Sequence, residues 1–158
     1  MRRSCQASVR VDARIDRVWE LVSDVTRVGE WSGECRGCAW EGGADEPVRG
    51  ARFRGRNRRG GFRWTRLNEV TDVEPPRRLV WRTLARFPYP DSVEWGLSLV
   101  ETSSGTEVTE SFQVLKVPKA MDWLVGIAMP AHRDRSSDLA EDLGRMKDLL
   151  ESPGRPAR

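Results

Sequence analysis

The sequence predicts an α+β fold: a curved antiparallel sheet of about seven strands, two short helices after the first strand, and a long C-terminal helix closing the sheet. Three observations predict it. Apolar and polar residues alternate along segments between Ser4 and Val114, the period of half-buried strands. The gaps between the later segments are too short for the crossover of about a dozen residues that parallel pairing needs. Beyond Pro118 the apolar residues change to helical spacing.

Element by element, "SCQASVRVDA" sets Ala7, Val9 and Val11 on one face and Ser8, Arg10 and Asp12 on the other, a first strand. Asp12 can then cap a helix that runs to about Ser23, with Val18, Leu21, Val22 and Val25 as its apolar face. "TRVGEWSG" reads as a second, short helix ending at Gly33. Strands are expected at Glu34–Glu41, Ala51–Asn57, Phe62–Val73, Arg78–Leu84, Val93–Glu101 and Thr106–Val114. Their turns are "GGADEPVRG", "NRRGG", "EPPR", "FPYPD" and "TSSG". Pro118 can open a helix, and Pro130 should kink or restart it. From Ala131 onward, Leu139, Leu143, Met146 and Leu150 form an apolar stripe. That helix is the only element long enough to cover the inner face of the sheet. Residues 1–151 read as one domain and 152–158 as a flexible tail.

Charged residues (32%) balance apolar ones (38%), the composition of a globular chain. The formal net charge is +3, yet residues 50–66, "GARFRGRNRRGGFRWTR", hold seven arginines and no acid, so the remainder is net acidic. Strand period sorts this stretch. Ala51, Phe53 and Gly55 share one face, and Arg52, Arg54 and Arg56 the other; "NRRGG" makes the turn, with Gly60 and Gly61 free to take positive φ. Phe62 and Trp64 then point inward and Arg63 outward. A sheet that binds RNA shows aromatics and charges on the same face. Here the parities separate, so nucleic acid is an unlikely partner and the arginines read as a solvated outer surface.

The start "MRRSCQASVRVDAR" lacks the layout of a signal peptide, and the longest apolar run, "WLVGIAM", is too short to span a bilayer. No membrane insertion is expected, and a cytoplasmic location is. Three cysteines, an odd number, fit a reducing compartment. "CRGC" at Cys35 to Cys38 has CxxC spacing, but on a regular strand a separation of three sends the thiols to opposite faces. Neither a metal site nor a redox role is expected there, and no motif calls for a cofactor.

The stretches "SVRVDARIDRVWELVSDVTRVGEWS", "GARFRGRNRRGGFRW" and "VEWGLSLVETSSGTEVTES" resemble the START-like superfamily, often labelled polyketide cyclase/dehydrase or SRPBCC. The resemblance runs from about Ser4 to Gln113, and the closing helix fits it. It implies a helix-grip fold, in which the sheet wraps the C-terminal helix around a deep apolar cavity. Members include carriers of lipids and hormones, aromatase/cyclases, and proteins that sequester toxic natural products.

Within such a fold the seven tryptophans carry the strongest compositional signal. Trp81 shares parity with Leu79 and Thr83, and Trp95 with Val93, Leu97 and Leu99, so both are expected to face inward. Flat aromatic walls suit a flat apolar ligand. The expected ligand-binding residues are Trp31, Phe53, Phe62, Trp64, Asn68, Trp81, Trp95, Met129, His132 and Ser136, with Arg66 inside only if its strand has no bulge near Thr65. Trp31 is expected across the cavity mouth. His132, the only histidine, is the candidate for proton transfer. The scattered acids Glu94, Glu107 and Glu110 offer no acid–base pair. The reading is a non-catalytic carrier or sequestering protein, in a self-resistance role among others, for an aromatic or polycyclic molecule. A cyclase or dehydratase, and weak nucleic-acid or partner binding through the arginine face, are the alternatives.

Overall fold

The computed structural model describes residues 3–128 and 134–152. Strand β1 (Ser4–Val11) leads into helix α1 (Ile15–Ser23), a 3₁₀ turn (Val25–Arg27) and the one-turn helix α2 (Val28–Trp31). Six strands follow: β2 (Cys35–Glu41), β3 (Arg52–Arg59), β4 (Phe62–Glu74), β5 (Arg78–Thr83), β6 (Ser92–Thr102) and β7 (Gly105–Lys116). Helices α3 (Lys119–Ala128) and α4 (Ser136–Glu151) close the chain. This is the helix-grip architecture that the sequence predicts.

Strands β2 to β7 form one antiparallel meander, and β1 returns beside β7, giving the order β1-β7-β6-β5-β4-β3-β2. Alternation places the apolar residues of each strand on one face, where α1 and α4 pack. Val18, Leu21 and Val22 of α1 and Leu143 and Met146 of α4 are buried against Val11, Leu97, Leu99 and Val108 of the sheet, and Leu139 of α4 against Phe112 and Val114. Burying one such side chain contributes roughly 1.5–3 kcal/mol, so these stripes hold both helices in place.

The chain departs from the sequence expectations at the start of α1. Asp12 does not cap α1: Arg14 occupies the N-cap position without a side-chain bond, and the Asp12 backbone N–H donates to Glu151 Oε1 at 2.7 Å. The start of the chain is thereby tied to its last helix. Helix α4 begins at Ser136, whose N–H (2.9 Å) and hydroxyl (2.6 Å) both donate to Asp134; Pro130 and Ala131, where the closing helix was expected to kink or restart, lie outside the described residues. The described residues here form two helices, α3 and α4, on either side of Pro130. At the β3–β4 hairpin only Gly60 takes positive φ (+56°).

The arginine face is as expected at Arg52, Arg54, Arg56 and Arg58, all exposed, with Ala51, Phe53 and Gly55 buried behind them; Arg63, expected to point outward, is exposed too but stands at the rim of the inner cavity. Two arginines of the stretch do other work. Arg59 reaches from β3 to α4 and donates to both oxygens of Asp138, at 2.7 and 2.8 Å. Arg66 turns inward. Among the described residues no helix is long and apolar enough to cross a membrane.

Candidate ligand-binding site

Between the concave face of the sheet and the closing helices lies a cavity of about 340 Å³. Strand parity builds its walls. Phe53 of β3, Trp81 of β5, Trp95 of β6 and Phe112 of β7 all fall in the inward register, and Trp31 joins them from the end of α2. The rings meet edge to face: Phe53 and Trp81 at 6.2 Å between centroids, Trp95 and Phe112 at 4.9 Å. Phe62 and Trp64 on the β3–β4 hairpin, Tyr89 in the β5–β6 loop and Met121 of α3 also line it.

Of the residues expected from sequence, Phe53, Trp64, Asn68, Trp81 and Trp95 line this cavity. Trp31 also lines it, but at 1% exposure it is part of the core and not across the mouth. Phe62 sits at the rim, 53% exposed, because the hairpin turn beside it leaves nothing to cover the ring. Ser136 is not in the lining; its hydroxyl is spent on Asp134 as the first residue of α4. Met129 and His132 lie outside the described residues.

Strand β4 stays regular past Thr65, and its bulge comes later, between Val70 and Asp72. Arg66 and Asn68 therefore both point inward. The guanidinium of Arg66 is not left unpaired. It donates to both oxygens of Asp91 at 2.8 Å, to the Asp91 carbonyl at 2.9 Å and to Thr83 Oγ1 at 3.0 Å, and lies over the Tyr89 ring. This network fastens the β5–β6 loop to the sheet. Asn68 donates to the carbonyl oxygens of Arg66 (3.2 Å) and Phe53 (3.4 Å).

Several lining residues were missed. Glu110 is fully buried on β7, in register with Val108 and Phe112. An acid in the apolar register of a strand was the signal that marked it. Burial pushes its carboxyl well above the ordinary range; Asp142 adds to the shift, and Arg135 and Arg145 oppose it. Asp142, also raised by burial, accepts from the Gly33 N–H at 2.9 Å and from Arg145. Arg135, one turn before Leu139, is clasped by Glu34 and lies over Trp95 and Phe112, 5.0 and 5.5 Å from their centroids. Trp31 Nε1, Glu110 Oε2 and Arg135 Nε are buried without a hydrogen-bond partner. This end of the cavity thus carries polar capacity the protein leaves unused, against otherwise apolar walls.

The thiols of Cys35 and Cys38 were expected on opposite faces. They stand together, Sγ to Sγ 3.3 Å, and both residues line the cavity. The cause is a bulge at the start of β2: Cys35 pairs with Asn57 and Gly37 with Arg56, so Arg36 is an extra residue that turns Cys35 to the face of Cys38. Among the described residues no group of three or more His, Cys, Asp or Glu is arranged to hold a metal ion.

A family model described as "Polyketide cyclase / dehydrase and lipid transport" matches residues 2–151. Among solved structures, a polyketide-cyclase-like protein of Corynebacterium glutamicum is 31% identical, with a TM-score of 0.61 over 94% of this chain and 91% of that one. DynU16, from the dynemicin biosynthetic locus, is 21% identical (TM-score 0.64), and the di-domain ARO/CYC BexL of the BE-7585A pathway 16% (0.68). The alignments cover 96% of this chain and 48% of each of those two, so they share its fold over about half their length. No curated protein matches the chain.

Proposed function

The chain belongs to the polyketide cyclase / dehydrase and lipid transport family, and from that premise we propose that it binds a hydrophobic aromatic or polycyclic small molecule without transforming it, as a carrier or sequestering protein. The observation that carries this reading is the cavity of about 340 Å³, walled by Trp31, Phe53, Trp81, Trp95 and Phe112. Its size falls in the range of small-molecule sites, roughly 300–1,000 Å³. Burial of apolar ligand surface drives binding at roughly 25 cal/mol per Å² before entropy losses. The unpartnered polar atoms at the inner end favour a ligand with at least one oxygen there.

The cargo class is drawn from the family description and from the dynemicin-locus and ARO/CYC relatives: a polyketide-type natural product, held away from water and from other targets. Protection of the producing cell is one use of such a protein. Titration with polycyclic phenols and quinones is expected to quench the tryptophan emission saturably, with one ligand per chain. An unchanged spectrum and an unchanged melting temperature across a broad apolar panel would contradict the reading.

One observation favours a second reading, a cyclase or dehydratase. Glu110 is a buried carboxyl whose pKa burial raises, which suits it to hold a proton and deliver it to a bound ligand. Glu110→Gln is then expected to lower turnover of a poly-β-ketone by about 10²-fold or more with binding intact. Unchanged product formation removes Glu110 from any such role.

A further inference from the structure

The bulge at Arg36 gives β2 a feature that ligand binding does not use: two cysteine thiols in contact at the wall of an apolar, aromatic cavity. Their surroundings favour reaction over inert packing. Cys35 Sγ sits against the Cys38 thiol and accepts from the Gly37 backbone N–H, and these bonds, with the charge of Arg56, hold its pKa below the ordinary thiol range against the cost of burial. The Cys38 thiol is pushed up by the same contact and by burial, so Cys35 is the thiol of the pair that gives up its proton more readily. Gly55 faces Cys38 across β3, and a Cβ there would lie 3.4 Å from Cys38 Sγ, so the glycine leaves the second thiol room to turn.

We propose that Cys35 and Cys38 form a dithiol redox site that reduces a quinone bound in the cavity. A quinone is the flat, apolar two-electron oxidant that such walls admit. The Cys35 thiolate adds to a ring carbon, forming a C–S bond and placing the electron pair on a quinone oxygen, which takes up a proton. Cys38 loses its proton and attacks the Cys35 sulfur; the S–S bond forms as the C–S bond breaks, and that electron pair returns to the ring. With a second proton the product leaves as hydroquinone. Two protons and two electrons have passed to the ligand, and one disulfide remains in the protein.

The inference rests on the cavity admitting aromatic ligands, so its test carries a separate binding arm. Reduced Cys5→Ser protein is mixed anaerobically with 1,4-naphthoquinone, and 2-naphthol, which cannot oxidise thiols, is titrated in parallel by tryptophan fluorescence. The expected result is one equivalent of naphthohydroquinone per chain, loss of both thiols, and a protein lighter by two hydrogens. Cys35→Ser and Cys38→Ser in the same background are expected to fold, as shown by circular dichroism, and to yield neither disulfide nor hydroquinone. If naphthol binds but both thiols persist, or the quinone stays on the protein as a stable adduct, the redox site is overturned while the binding reading stands. If naphthol does not bind either, both fall. Hydroquinone production by folded single-cysteine variants would also overturn the proposal.

Discussion

Arg66 shows how one residue can be legible in direction and unreadable in partner. Strand parity points it inward, but Asp91, 25 positions later in a loop, completes the pair, and no spacing rule links the two. With both side chains at least 86% buried, removing one partner strands the other charge. Arg66→Met is expected to cost about 3 kcal/mol in denaturant unfolding, and Arg66→Met with Asp91→Leu to recover most of it. Glu110 makes a prediction in pH. Its folded pKa is raised above the ordinary value of about 4.5, so the folded chain binds the proton more tightly than the unfolded one. The associated stability is fully present below that ordinary value and is lost as pH rises towards and through the folded pKa. Melting temperatures taken from acid to alkaline pH should therefore fall more steeply for the natural protein than for Glu110→Gln. Equal slopes would show that folding does not raise the pKa of Glu110.

Among the elements, strands were the most readable because each keeps a strict period of two against a single buried face. Three bulges broke that period, one of them where the Ser92 end of β6 meets β7. No bulge interrupts β4 near Thr65, where one would have turned Arg66 and Asn68 outward; β4 breaks register only between Val70 and Asp72, which leaves both inside. The one in β2 was not expected, and it converts an apparent separation of Cys35 and Cys38 into contact. A bulge adds a residue without changing composition, so nothing in "CRGC" announces it. Turns give a sharper test. Gly60 has φ +56° and open space around it, whereas Gly105, at φ +144° between β6 and β7, would place a Cβ 2.1 Å from the Val11 carbonyl oxygen. Gly60→Ala is expected to cost about 1 kcal/mol of left-handed strain. Gly105→Ala should cost upwards of about 3 kcal/mol, because strain and a backbone clash add, measured by chemical denaturation. Similar losses at the two sites would contradict the register of β1 against β7.

For the whole molecule, the alternation of seven strands with a helical stripe at the end was enough to predict the architecture, down to which faces are buried. The occupants of the cavity's polar end were not predicted, since Glu110, Arg135 and Asp142 meet only when α4 is laid on the sheet. The outer face was foreseen as solvated, and its charge is partly spent at home. Glu69 accepts from Arg52 at 3.0 Å and Arg82 at 2.9 Å, Asp72 lies 2.9 Å from Arg78, and Glu41 pairs with Arg54. Association with duplex DNA is accordingly predicted to be weak and lost between low and physiological salt; retention at physiological salt would revive the interaction-surface alternative.

The central claim is that inward-facing rings enclose usable space, and Gly55, buried in the same register as Phe53, offers a way to remove that space without touching the rings. Calorimetric titration of a polycyclic phenol at several temperatures is the most direct measurement, made on the natural protein and on Gly55→Leu. The account predicts one site with a negative heat-capacity change, weakened at least about tenfold by the leucine. Equal affinity in both proteins, or binding with no heat-capacity change, would place the ligand elsewhere and contradict it.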